Sequence, residues 1–255
     1  MSRNGQDRRP YGMADTAILV GHFEMPRGTA FTAHAHPVHQ LLWAVRGLLR
    51  VGSEQGTWLL PPSLALWVPA GTAHTTTSEG GAVMRSPYVD PACCPHIDWR
   101  EPTVVAVAPL LRALIEHLGR TDLTPQARSR AELVLLDELR PVPVTSVTVP
   151  EPRDPRTRAV AEALRAHPAD GRALADFGDQ VGASARTLAR LFVAETGLGF
   201  GQWRERLRMQ AAMPYLSEGL PIEAVARRVG YASASSFTAA FHRVVGVTPR
   251  QYFPR

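Results

Sequence analysis

Four of the nine histidines in this 255-residue chain fall between positions 34 and 74. His34 and His36 are two apart, so on a strand both imidazoles point to one side. His74, from a second strand, completes a three-histidine set of the kind that holds a divalent zinc, nickel or iron ion. Gln40 adds a neutral, weaker donor close by. His39 has the opposite parity and reads as a packing residue. Trp43, Trp58 and Trp67 offer apolar walls to a small-molecule effector in the same region, or serve as plain core. Cys93, Cys94 and His96 suggest a thiol sensor or an extra metal arm. Two adjacent cysteines imply no disulfide framework. His22, His117 and His167 show no partner spacing.

A second constellation lies in the tail, where one pattern occurs twice. Val181-Gly182 and Val229-Gly230 are 48 residues apart, and beyond each glycine the offset becomes 49. Leu188 then matches Phe237, Phe192 matches Phe241, Gly197 matches Gly246 and Trp203 matches Tyr252. A short helix, a glycine turn and a second helix, used twice, suit two entries into a DNA major groove. Leu174, Phe177, Val181, Leu188, Leu191 and Phe192 form the core face of the first copy. Ile222, Val225, Ala226, Val229, Phe237 and Phe241 do so in the second.

The polar residues between these positions are the DNA-binding set. They are Arg186, Thr187 and Arg190 in copy one, and Ser235, Ser236, Thr238, His242 and Arg243 in copy two. Ser184 and Ser233 stand at the N-caps. An arginine fork matches guanine O6 and N7 at once, so copy one carries more base reading. Copy two, with Ala234, Ala239 and Ala240 and short hydroxyls, holds phosphates and touches thymine methyls.

These residues need two kinds of scaffold. Residues 38–45, 48–51, 57–60, 64–68 and 82–89 are apolar or β-branched runs separated by Gly and Pro turns, within a strand-rich region spanning 16–90. Many short strands at close spacing predict a barrel or sandwich. Amphipathic helices follow at 105–118 and 125–139, read as a dimer seam in preference to a barrel cover. Residues 141–155 hold five prolines and read as a linker or edge strand. From 156 the pattern is helical, with helices at 156–167, 172–181, 184–195, 199–217, 221–229, 233–245 and 248–253. Pro214, inside the long helix, removes the bond to Gln210 at a cost of ~3 kcal/mol. A kink there would set the angle between the two reading heads.

Charge follows the same division. Residues 156–255 hold 14 Arg against 8 acids, whereas residues 1–155 hold 14 Arg against 15 acids. The positive half is the one carrying the repeat, which points to a phosphate backbone and to binding that weakens steeply with salt. No apolar run approaches the ~20 residues that span a membrane. Residues 1–10 are polar and Arg-rich, unlike a signal peptide, so the expected location is cytoplasmic.

Residues 172–255 resemble the AraC/XylS-type DNA-binding domain. The likeness rests on Ile222-x-x-Val225-Ala226-x-x-Val229-Gly230-Tyr231, Ser236-Phe237-x-x-x-Phe241 and Gly246-Val247-Thr248-Pro249-x-x-Tyr252. It implies two recognition helices joined by a long central helix, reaching groove faces about 34 Å apart.

Residues 20–90 resemble a cupin, through Gly28-x5-His34-x-His36-x3-Gln40-x6-Gly47 and Pro69-x-Gly71-x-x-His74. Gln40 replaces that pattern's glutamate, Ser63 a glycine and Ser78 an asparagine. The run into Gln40-Leu41-Leu42-Trp43 resembles regulators associated with efflux of toxic compounds.

The fold class expected is α+β: an N-terminal cupin-like β-barrel (a double-stranded β-helix), then an all-α double helix-turn-helix domain. The divisions are 1–103 sensor barrel, 104–140 helical dimerisation segment, 141–155 linker and 156–255 DNA-binding domain. The function expected is a sequence-specific transcription factor, a homodimer on double-stranded DNA, answering a small-molecule or metal effector and having no catalytic residues. The rival reading is a cupin metalloenzyme fused to a DNA-binding domain, and the missing carboxylate at Gln40 argues against it.

Overall fold

The computed structural model describes residues 16–78, 80–144 and 147–253. The polar opening at 1–10 lies outside them. The chain divides into two compact units, residues 1–143 and 144–255.

The first unit is built on two antiparallel sheets. One has the order β1 (Ile18–Met25), β8 (Ala82–Val89), β3 (His39–Gly47), β6 (Leu64–Val68) and β9 (Thr103–Ala106). The other runs β2 (Thr29–His34), β7 (His74–Ser78), β4 (Leu49–Ser53) and β5 (Gly56–Leu60). In β7, His74, Thr76 and Ser78 are buried while Thr75 and Thr77 are half-exposed, so this sheet has one wet face and one dry face. β6 is buried at every position, as a strand covered on both sides must be. Its outer side packs on helices α1 (Pro109–Leu118) and α2 (Pro125–Asp137), in a core that joins Leu41, Trp43, Trp67, Val89 and Val105 to Leu111, Ile115, Leu118, Leu135 and Leu136. The dry faces of the two sheets therefore enclose the barrel interior.

Three sequence expectations change here. Residues 103–106 form a strand, because Thr103, Val104 and Val105 are β-branched and pair with the open edge of β6. The helix begins only at Pro109, whose missing N–H costs nothing in a first turn. The main faces of α1 and α2 cover the barrel, leaving Leu110, Leu133 and Val134 outward at 50, 60 and 41% exposure. Buried Glu132 of α2 also accepts the backbone N–H groups of Ala17 and Ile18 at 3.3 and 3.2 Å, tying helix to first strand. The two ends of the proline-rich stretch each pack on their own unit. Val142 donates to the Val104 carbonyl at 2.9 Å, and further on Val147 is 2% exposed. Trp203 Nε1 donates to the Pro150 carbonyl at 2.8 Å.

The second unit consists of α3 (Pro155–Ala166), α4 (Leu174–Val181), α5 (Ala185–Thr196), α6 (Phe200–Ser217), α7 (Ile222–Arg228), α8 (Ala234–Val245) and α9 (Pro249–Tyr252). Val160, Leu164, Phe177, Leu188, Phe192, Trp203 and Leu207 form the core around the first helix pair. Val225, Val229, Phe237, Phe241, Val245 and Tyr252 are buried around the second. α6 runs on through Pro214 to Ser217, and Met213 and Leu216 on either side are buried. Packing of that last turn offsets the lost backbone bond. No helix among the described residues is long and apolar enough to cross a membrane.

Candidate functional site

Both turns between paired helices depend on glycine. Gly182 closes α4 in the left-handed region at φ +66°. Gly230, after α7, has φ +83°, and a Cβ there would lie 2.7 Å from Arg208 Nη2 and 2.9 Å from Ala169 Cα. The serines then start the second helices. Ser184 Oγ accepts the Thr187 N–H at 3.2 Å. Ser233 Oγ accepts the Ser236 N–H at 3.1 Å, and Ser236 Oγ donates to the Ser233 carbonyl at 2.9 Å. These hydroxyls satisfy helix ends, which leaves the exposed N-termini of α5 and α8 as anion-facing surfaces.

The exposed positions of α5 and α8 coincide in register. Arg186, Arg190 and Val193 lie outward on α5, and Ser235, Ala239 and His242 lie outward on α8, each 49 residues on. That i, i+4, i+7 spacing is one helix face. Arg186 and Arg190 have no hydrogen bond or ion pair among the described residues, so both guanidinium forks are open to a ligand.

Val193, 53% exposed on this face, falls outside the polar set named from the sequence because it is apolar. Its one signal was the 49-residue match to His242. Ala240 is 2% exposed and cannot meet a thymine methyl, because α8 turns it into the core beside Phe241. Thr187 and Thr238 are half-buried. Arg243 is ion-paired with Glu205 of α6, which raises its pKa.

The two reading pairs are joined through α6 by one side chain. Arg208 donates to the carbonyls of Pro168 at 3.0 Å, Asp170 at 2.9 Å and Gly230 at 3.1 Å. Its guanidinium also lies 5.6 Å from the Tyr231 ring centroid. It thus links the turn before the first motif to the turn inside the second. Arg204, one turn earlier on α6, donates to the Arg172 carbonyl at 2.7 Å.

The histidines meet at one end of the barrel. His34 closes β2 and pairs with His74 of β7 across the sheet. His36 is not on the strand as expected but in the following loop. A bulge in β2 between Phe31 and His34 re-aims the chain there. All three side chains nevertheless converge, with one ring nitrogen from each lying within 4.8 Å of the others. His34 Nδ1 donates to the Thr32 carbonyl at 2.6 Å and His74 Nδ1 to that of Thr72 at 3.0 Å, which turns each Nε2 lone pair away from the backbone.

Burial lowers the His36 pKa to about 4, with His34 and His74 adding to the effect, and burial also lowers that of His74. Neutral imidazole is the form that binds a metal. Tetrahedral zinc needs donor atoms ~3.3 Å apart at ~2.0 Å bond lengths, so side-chain shifts of about 1 Å would close the set. The three residues fit such an ion and leave a fourth position open. Gln40 is 2% exposed and its amide nitrogen donates to Ser86 Oγ at 2.8 Å.

The remaining expectations resolve simply. His39 stacks on Trp67 at 4.9 Å and its Nδ1 accepts the Ala70 N–H at 3.0 Å, a packing role. Trp43 and Trp67 belong to the core under α1 and α2, whereas Trp58 sits opposite Val51 on the dry face. Cys94 is buried and its thiol is pushed up to about 11, which removes it as a thiolate sensor. Cys93 and His96 are exposed, and no metal cluster other than the three histidines occurs among the described residues.

Comparison with known proteins follows the same division. A family model described as an AraC-like ligand binding domain matches residues 17–137, and one described as a helix-turn-helix domain matches residues 177–255. The HTH-type transcriptional regulator NimR of Escherichia coli is 31% identical over 232 residues, 87% of this chain and 82% of that protein. The HTH-type transcriptional regulator RipA of Corynebacterium glutamicum is 42% identical over 105 residues, 41% of this chain but 32% of its own length. The solved structure of apo ToxT from Vibrio cholerae aligns over 93% of this chain and 97% of that one, with 11% identity and a TM-score of 0.38.

Proposed function

The chain belongs to the AraC family of DNA-binding transcriptional regulators, with a ligand-binding domain ahead of its helix-turn-helix domain, and on that premise we propose which residues read DNA and what the barrel senses. α5 enters one major-groove face and reads bases with Arg186 and Arg190, while Val193 packs on a thymine methyl. α8 enters the next face with Ser235, Ala239 and His242, and its N-terminus holds a phosphate. The observation that carries this reading is the matched exposed face on the two helices, offset by 49 residues.

The effector site is the histidine end of the barrel. His34, His36 and His74 would hold a divalent metal, supplying a Lewis-acidic fourth position for an organic ligand. Effector binding favours one arrangement of the regulator and so shifts operator affinity. Copies pair through the outward residues Leu110, Leu133 and Val134, which places four reading helices on one operator. The protein acts by binding and not by turnover, and it acts on cellular DNA in the cytoplasm.

The test is quantitative footprinting and binding with Arg186→Ala. Loss should amount to about 1–3 kcal/mol and be confined to one base position. A uniform loss on all sequences would mean that Arg186 contacts only phosphate.

A further inference from the structure

The barrel interior holds more polar groups than its own hydrogen bonds satisfy. His74, Thr76 and Ser78 project inward in succession down β7, each no more than 2% exposed. Thr76 Oγ1, Ser78 Oγ and Gln40 Oε1 are buried without a hydrogen-bond partner. Such atoms are rare in native interiors, since each buried unpaired group costs about 1–3 kcal/mol. All three sit on the dry faces. Thr76 lies opposite Val51 and Ser78 opposite Thr29, below the His34–His74 pair. From the other sheet, Gln40 lies opposite Tyr88, whose ring is 5.3 Å from that of His36.

The surrounding surface is apolar: Phe31, Leu42, Val51, Trp58, Leu66 and Met84. No charged side chain lies on the inward strand positions among the described residues. The inward position opposite Ser86 on β1 is Gly21, and the rings of Phe23 and Tyr88 occupy the space that a side chain there would take.

We propose that this interior is a subsite for a small uncharged organic ligand, with an apolar body and a neutral amide- or alcohol-type hydrogen-bonding head. The head donates to Gln40 Oε1 or exchanges hydrogen bonds with a hydroxyl of β7, where Thr76 and Ser78 are successive inward positions. With the histidine centre empty, the absence of an inward charge selects against carboxylates and ammonium groups, whose desolvation nothing there repays. The proposal rests on the barrel being the effector site but needs no metal.

Two measurements on the intact protein test it. Thr76→Val keeps the shape and removes an unpaired hydroxyl, so its Tm should rise by about 3 °C. Ser78→Ala should move the same way. A fall in Tm for both would mean that the hydroxyls are satisfied by ordered solvent or neighbours, and would overturn the proposal.

The second uses three probes of one shape: benzamide, benzoate and benzamidine. At 10 mM, benzamide should raise the Tm of the wild-type protein. With a chelator present to keep the histidine centre empty, benzoate and benzamidine should not, and the benzamide shift should vanish in Gln40→Leu and Thr76→Val. Equal or larger shifts with a charged probe, or no benzamide shift, would overturn it. Metal content measured on the same samples separates the two ideas. Bound metal with no benzamide selectivity removes the subsite alone, and benzamide selectivity without metal removes the histidine centre alone.

Discussion

Replacing Arg208 with alanine should loosen the second unit. Three carbonyls, those of Pro168, Asp170 and Gly230, lose a charged donor at 2.9–3.1 Å. A hydrogen bond to a charged group contributes about 1.5–3 kcal/mol net when buried. The guanidinium is half-buried, which halves that figure to roughly 1 kcal/mol each. Contact with the Tyr231 ring adds ~0.5 kcal/mol. The sum is about 3.5 kcal/mol, a large share of a typical 5–15 kcal/mol stability.

Urea unfolding of the intact chain, followed by helix ellipticity, reads this directly. Arg208→Lys should retain about one of the three bonds and lose roughly 2 kcal/mol. DNA binding gives the functional counterpart. With the two turns unclamped, α5 and α8 no longer hold a fixed separation, so an operator with both subsites should lose at least about tenfold in affinity. A DNA carrying one subsite should lose far less. Pro214→Ala should leave the footprint length unchanged, because α6 already runs through that residue. A loss below about 0.5 kcal/mol in Arg208→Ala with an unchanged footprint would refute the clamp.

The purified protein should carry about one equivalent of zinc, nickel or iron by elemental analysis, lost in His34→Ala and in His74→Ala; a metal-free protein after loading would retire the site. Alkaline stability has a defined window. Burial raises the pKa of Tyr231 to about 12 from 10.0 and raises that of Tyr252 further. The unfolded chain releases these protons first, so stability is full below pH about 10 and falls as pH rises through the folded values. Tyr231→Phe should flatten that decline in pH-dependent urea midpoints, and an unaltered slope would count against the assignment.

The second unit was almost wholly legible. Its information is local, for a helix with a cap and a 3.6-residue apolar period announces itself within a dozen residues. The helix positions, the glycine turns and the serine caps at Ser184 and Ser233 therefore followed from spacing alone. What escaped were positions where the pattern is ambiguous by type. Val193, being apolar, stands outside the polar set and Ala240 reads as surface, and only the rotation of α5 and α8 on their own cores assigned each to its side.

The first unit was legible only in part, because strands are completed by partners distant in sequence. Residues 105 and 106 read as the start of a helix until the open edge of β6 claimed them. The histidines could be named together, but their convergence depended on a bulge and a loop, not on strand parity. No local pattern placed Gln40, Thr76 and Ser78 in one enclosed interior or brought Arg208 to three carbonyls. Those relations arise from chain closure over tens of residues, which the sequence encodes but does not display. Sequence thus determined the family of elements and the chemistry available, while tertiary structure decided which groups meet and which are left without partners.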